Sequence, residues 1–137
     1  MPSHLNPYLN FRGNTRQVME FYKTVFGGKL SFSTFGEFHA SVDPNEVDKI
    51  MHSTLEVDNG ISFFAADTPN HMEHTPGDNI SMSLSGDDHE ELSAYFKKLS
   101  AGGKISAPLE KAPWGDTFGM CTDKYGINWL VNILAKK

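Results

Sequence analysis

LNPYLNFRGNTRQVMEFYKTVFGGKLS runs from Leu5 to Ser31, and ISMSLSGDDHEELSAYFKKLSAGGKIS runs from Ile80 to Ser106. Laid over one another without a gap, the two stretches match Leu9 with Leu84, Phe21 with Phe96 and Lys23 with Lys98. They end on the same words, Gly27-Gly28-Lys29-Leu30-Ser31 and Gly102-Gly103-Lys104-Ile105-Ser106. A shorter echo follows in the same order, Asp58-Asn59-Gly60-Ile61 against Lys124-Tyr125-Gly126-Ile127. Two ordered blocks, each at a structural boundary, read as one supersecondary unit used twice.

Each copy opens on alternation. Leu5, Pro7, Leu9 and Phe11 face one way and Asn6, Tyr8 and Asn10 the other, which reads as a half-buried strand; Ile80, Met82 and Leu84 repeat it against Ser81, Ser83 and Ser85. A helix is then expected from an Asn14 cap to about Phe26, with Val18, Phe21, Tyr22, Val25 and Phe26 on one stripe. In the second copy Asp88-x-x-Glu91 forms a capping box and Leu92, Phe96 and Leu99 form the stripe. Gly27-Gly28 and Gly102-Gly103 end the two helices. Strands follow at about Lys29–Phe35, Lys49–Val57 and Ile61–Ala66, then at about Lys104–Leu109, Thr117–Thr122 and Ile127–Ile133. Tight turns are expected at Asp58-Asn59-Gly60 and Asp123–Gly126. The expectation is an α+β chain forming one domain of two tandem βαβββ modules, residues 5–66 and 80–134, joined by a linker over 67–79.

Bulk composition narrows the function. The chain has 137 residues, a formal net charge of −5 and one cysteine. An acidic balance argues against a nucleic-acid partner or an anionic membrane. No apolar run reaches spanning length, and a single Cys121 fits a reducing, cytoplasmic setting.

One helix per module covers one face of its strands, and the other face must line something. That opposite face carries Asn6, Tyr8, Asn10, His52, Thr54, Glu56, Ser81, Ser83, Asn128 and Asn132, with Phe64 and Leu130 among them. Polar alternates usually mean solvent, but here the pattern recurs in both modules, with aromatic residues interspersed.

Asn6-x-Tyr8-Leu9-x-Phe11-x-Gly13-Asn14, Phe21-Tyr22, Val25-Phe26-Gly27-Gly28, Met51-His52, Pro113-Trp114-Gly115 and Asp123-x-Tyr125-Gly126 stand in an order that resembles the PhnB-like branch of the vicinal oxygen chelate superfamily. That superfamily includes glyoxalase I, the bleomycin-resistance proteins and the extradiol dioxygenases. The resemblance implies a U-shaped mixed sheet around an inter-module cleft, a small organic ligand in that cleft and a homodimer. It also implies a divalent metal held at equivalent points of the first and fourth strands, which fall here on Asn6, Phe64, Ser81 and Leu130. None is a histidine or a carboxylate, so no metal ligand is expected at those points. The alternative is a metal-dependent enzyme of the glyoxalase or dioxygenase type; a non-enzymatic sequestering protein fits Phe64 and Leu130 better. Members of the branch are often labelled 3-demethylubiquinone-9 3-methyltransferases. The glycine pairs here end helices and do not open them, unlike the loops that hold a methyl-donor nucleotide.

Among individual residues His52 is the best candidate for proton transfer or for a hydrogen bond to a bound oxygen. Its strand neighbour Glu56 lies about 13 Å away at ~3.3 Å per residue, too far to share an ion. Tyr8 and Thr54 stand beside it as ligand contacts, and Trp114 as a wall. His71-x-x-His74 with Glu73 has zinc-like spacing but too few ligands, and His39 and His89 read as surface residues. Cys121 has no basic neighbour and reads as an inert thiol.

Overall fold

The computed structural model describes residues 3–38 and 44–135; His39 therefore lies outside the described residues. The chain divides into two compact units, Met1–Thr75 and Pro76–Lys137, the boundary falling inside the 67–79 segment.

The first unit runs β1 (Tyr8–Phe11), α1 (Thr15–Phe26), β2 (Lys29–Thr34), a short 3-10 turn (Pro44–Glu46), β3 (Ile50–Glu56) and β4 (Ser62–Asp67). Its sheet has the order β1-β4-β3-β2, with β1 parallel to β4 and the rest antiparallel. The second unit runs β5 (Met82–Gly86), α2 (His89–Ser100), β6 (Lys104–Lys111), β7 (Thr117–Thr122) and β8 (Asn128–Ile133), in the order β5-β8-β7-β6 with the same directions. The expected α+β class and the βαβββ order of both modules are what the structure has. The register repeats as well: Leu9 pairs with Ala65 and Leu84 with Val131, which are equivalent positions of the two copies.

Each helix lies on one face of its own sheet. In the first unit Val18, Met19, Tyr22, Val25 and Phe26 are buried against Leu55, Phe63 and Ala65, and the Tyr22 and Phe26 rings meet Phe63 edge-on at 5.5 and 6.2 Å. In the second, Leu92, Tyr95, Phe96 and Leu99 do the same against Cys121, Trp129 and Val131. The doubled glycines have a shared cause. A Cβ on Gly28 would run into the Glu56 carbonyl, and one on Gly103 into the Thr122 carbonyl, which is the repeat equivalent of Glu56. The corner from helix to strand passes so close to the hairpin that only a bare backbone fits.

Three local expectations are corrected. Asn14 occupies the N-cap position of α1, but its side chain makes no capping bond. The Asp67 carboxylate at the end of β4 takes that role, accepting from Gly13 N at 2.9 Å, Thr15 N at 3.1 Å and Thr15 Oγ1 at 2.7 Å. Its other oxygen accepts from Ile50 N at 2.9 Å, so one buried carboxylate ties β1, α1, β3 and β4 together. Asp67 is therefore the last residue of β4, not the first of a linker. Leu5 and Ile80 do not extend the buried stripes: they precede their strands and stand 99% and 78% exposed. In α2 the Asp88 cap is as expected, its Oδ1 accepting from Glu91 N at 3.0 Å, while the Glu91 carboxylate accepts from the Tyr95 hydroxyl at 2.6 Å.

Residues 69–74 are bound to the first unit. Arg12 donates to the Met72 carbonyl, His74 Nε2 lies 3.1 Å from the Asn10 carbonyl oxygen, and buried Glu46 accepts from Asn70 N at 2.7 Å.

Candidate functional site

Alternation along β1, β3 and β4 of the first unit sends Leu9, Phe11, Ser53, Leu55, Phe63 and Ala65 toward α1. Tyr8, His52, Thr54, Glu56 and Phe64 are left on the uncovered face. Pairing then lines them up: Tyr8 lies opposite Phe64, Phe64 opposite Thr54, and Thr54 opposite Ser31. His52 stands one pleat along, opposite Ser33. Three rings meet here. His52 is 5.3 Å from Phe64 and 5.9 Å from Tyr8, and Tyr8 is 6.1 Å from Phe64, all tilted or edge-on. These spacings and angles are those aromatic side chains adopt by choice.

Polar groups finish the cluster. His52 Nε2 lies 3.1 Å from Thr54 Oγ1. Tyr8 is 45% exposed, yet partial burial raises its phenol above the ordinary value, so at neutral pH it is a proton-bearing donor. Glu56 is exposed at the far end of β3, opposite Lys29. Asn6 is half-buried and stands just ahead of β1; Tyr8, two residues on, is the residue that lies beside Phe64.

The second unit has the matching face with different occupants. Ser83, Leu130 and Met120 form one cross-strand row, and Ser85, Asn132 and Phe118 the next. Ser81 is exposed just before β5. Trp114 is 62% exposed in the turn between β6 and β7, its ring 5.8 Å from Phe118 and edge-on to it. Two amides of this face are engaged within the unit: Asn128 accepts from Thr122 Oγ1 at 2.7 Å, and Asn132 donates to Asp116 at 3.0 Å. Asp116 also accepts from Ala135 N at 2.9 Å; these two bonds, the Asn132 one foremost, hold its carboxyl below the usual range. Asp116 thereby fixes the turn that carries Trp114.

Of the residues expected at a site, the structure brings Tyr8, His52, Thr54 and Phe64 together on one face of the first unit. Glu56 is on the same strand but outside the cluster. Phe118, Met120 and Asp116 went unnoticed in the sequence, although Phe118 and Met120 share the alternation of Thr117–Thr122 and could have been read from it.

The superfamily's ion does not fit the residues at its usual points. Phe64 is packed on two rings, Leu130 has no donor atom, and Asn6 and Ser81 offer only neutral oxygens. Among the described residues no three His, Cys, Asp or Glu side chains are grouped to hold an ion. His71 is exposed and His89 faces Ser93 at 3.3 Å. Cys121 is buried, its thiol pushed up to about 11 by burial and by the Asp123 charge, which leaves no thiolate at neutral pH. No helix among the described residues is long and apolar enough to cross a membrane.

Residues 4–131 match the family described as the Glyoxalase/Bleomycin resistance protein/Dioxygenase superfamily. The chain is 25% identical to the protein YjdN of Escherichia coli K12, over 97% of each. A crystal structure of protein PA1353 from Pseudomonas aeruginosa shares 33% identity over 98% of this chain and all of that one, with a TM-score of 0.85. A Bacillus cereus structure described as a putative 3-demethylubiquinone-9 3-methyltransferase, PhnB protein, shares 26% identity over 96% of this chain and all of that one, with a TM-score of 0.76.

Proposed function

Since the chain belongs to the glyoxalase/bleomycin resistance/dioxygenase superfamily and is similar to PhnB and YjdN proteins, we propose that it binds a small organic ligand on the face built by Tyr8, His52 and Phe64. The observation that carries this reading is the ring cluster itself. Three aromatic rings and two hydrogen-bonding groups lie on a sheet face that no helix of their own unit covers. Rings supply apolar area at small entropic cost, and a few placed polar groups orient what they hold.

Donor chemistry favours binding over metal-assisted turnover, because the superfamily's ligand points carry Asn6, Phe64, Ser81 and Leu130. Methyl transfer has no support from the chain. Gly27 ends α1, its N–H bonded to the Lys23 carbonyl, and the connection into α1 is Arg12-Gly13-Asn14, with one glycine. A homodimer belongs to the same proposal, supported by exposed Leu5, Phe38, Ile80 and Leu134. So does a reducing, cytoplasmic setting, supported by a single buried cysteine.

The test is a fragment screen followed by protein NMR. Binders should shift the resonances of Tyr8, His52 and Phe64, and His52→Ala should weaken them about threefold to tenfold through one lost hydrogen bond. A tightly held, dialysis-resistant transition metal together with metal-dependent turnover would overturn the reading in favour of an enzyme.

A further inference from the structure

The ring cluster carries two polar atoms with no partner among the described residues: the Tyr8 hydroxyl and His52 Nδ1. Thr54 decides what His52 can do with the second. A hydroxyl both donates and accepts, so Thr54 Oγ1, 3.1 Å from Nε2, satisfies that nitrogen with or without its hydrogen. Nδ1 is therefore free to carry a proton toward an outside acceptor. Tyr8, whose phenol carries its proton at neutral pH, offers a second donor.

Charge on this face is sparse. From β1 the titratable group is Tyr8, with His74 beyond it at the Asn10 carbonyl. From β4 the residues are Ser62, Phe64 and Ala66, none titratable. From β3 comes Glu56 and from β2 Lys29, which face each other at the far end of the sheet, about 13 Å along the strand from His52. Glu56, the acidic residue on that face of β3, is therefore too distant to compete for the two donors.

Resting on the ligand-binding reading above, we propose that this face recognises a planar aromatic carboxylate. The ligand ring lies against Phe64 and Tyr8 and extends their edge-and-tilt packing. The carboxylate accepts from the Tyr8 hydroxyl and from His52 Nδ1, two hydrogen bonds strengthened by the charge on the acceptor.

Three probes isolate the two halves of the claim: 2-naphthoate, neutral 2-naphthamide and saturated decahydro-2-naphthoate, each titrated by calorimetry into the full chain. Naphthoate should bind about tenfold tighter than the amide, the gain of a charged over a neutral hydrogen bond. It should exceed the saturated acid several-fold. His52→Ala removes one of the two donors and should weaken naphthoate about tenfold. His52→Gln, which keeps an N–H donor, should recover part of that loss. Tyr8→Phe, at an exposed position, should weaken naphthoate several-fold at every pH, and Phe64→Leu should erase its advantage over the saturated acid. Equal affinity for acid and amide, or naphthoate binding to His52→Ala as tight as to wild type, overturns the carboxylate. If only neutral compounds bind, and do so through Tyr8 and Phe64, the general reading stands and this inference falls. If neither the probes nor any compound of the screen disturbs these residues, both fall.

Discussion

The two units share strand order, register and the glycine corner, yet each buries one aspartate where its twin has an aliphatic residue. Asp67 ends β4, and its equivalent at the end of β8 is Ile133. Asp123 opens the turn before β8, accepting from Tyr125 N, Ile127 N and the Trp129 indole, and its equivalent is Val57. The duplicated backbone is held by apolar packing common to both copies, while the few buried charges are placed where each copy has a loose end. In the first unit that end is the start of α1; in the second it is the β7–β8 turn and the Trp129 side chain. The two copies share the hydrophobic pattern and differ in their polar fastenings.

The largest effect that would break this comparison belongs to Asp67. Replacing it with Ala strands up to four donors in the first unit, two of them on buried Thr15, and should cost about 3–5 kcal/mol in denaturant unfolding. A loss near 1 kcal/mol would mean that Asp67 is no more than an ordinary cap. Next come Gly28→Ala and Gly103→Ala. Both should destabilise by about 2–3 kcal/mol, because both drive a methyl into a carbonyl on the equivalent hairpin. Gly28 also sits at φ +89, so it should be the worse of the two. Unequal losses in the opposite order would separate the two corners. Asp88→Ala removes a local, exposed cap and should cost about 1 kcal/mol, well below Asp67.

The smallest effect is that of pH on Asp116. Its folded-state carboxyl is lowered by Asn132 and the Ala135 N–H from an ordinary 3.8. A depressed carboxyl contributes stability above the unfolded value and loses it as pH falls through the folded one. Acid unfolding of Asp116→Asn should therefore show a shallower slope below about pH 4 than wild type. Identical slopes would remove Asp116 as the anchor of the Trp114 turn.

The fold was readable because the repeat and the alternation report the same backbone twice. Gly-Gly-Lys marked the end of each helix, and the period-two pattern of Lys49–Val57 and Ile61–Ala66 set both strands and their faces. The even-face cluster of Tyr8, His52, Thr54 and Phe64 followed from that alternation. What local reading could not supply was long-range. Nothing near Asn14 says that its capping work is done 53 residues later, and a chain-local rule assigns the cap to the nearest suitable side chain. Leu5 and Ile80 misled for a related reason: alternation continues past the point where a pairing partner is available, since hydrogen bonding, not hydrophobicity, ends a strand. Phe118 and Met120 carry no polar or titratable group, so only their alternation within Thr117–Thr122 marks the face they share.

The reach of Asp67 has a kinetic consequence. The bond that finishes the first turn of α1 spans 52 residues, so it cannot form until β4 has returned beside β1, and closing that loop is an entropic cost a local cap never meets. Asp88 reaches Glu91 within one helical turn. The two copies of one module should therefore nucleate differently, α2 early and from its own sequence, α1 only as its sheet condenses. In a folding experiment Asp88→Ala should slow refolding of the second unit, whereas Asp67→Ala should chiefly hasten unfolding of the first. Pulse-labelled amides should record the same order, Glu91 gaining protection ahead of Thr15, and Thr15 together with Ile50.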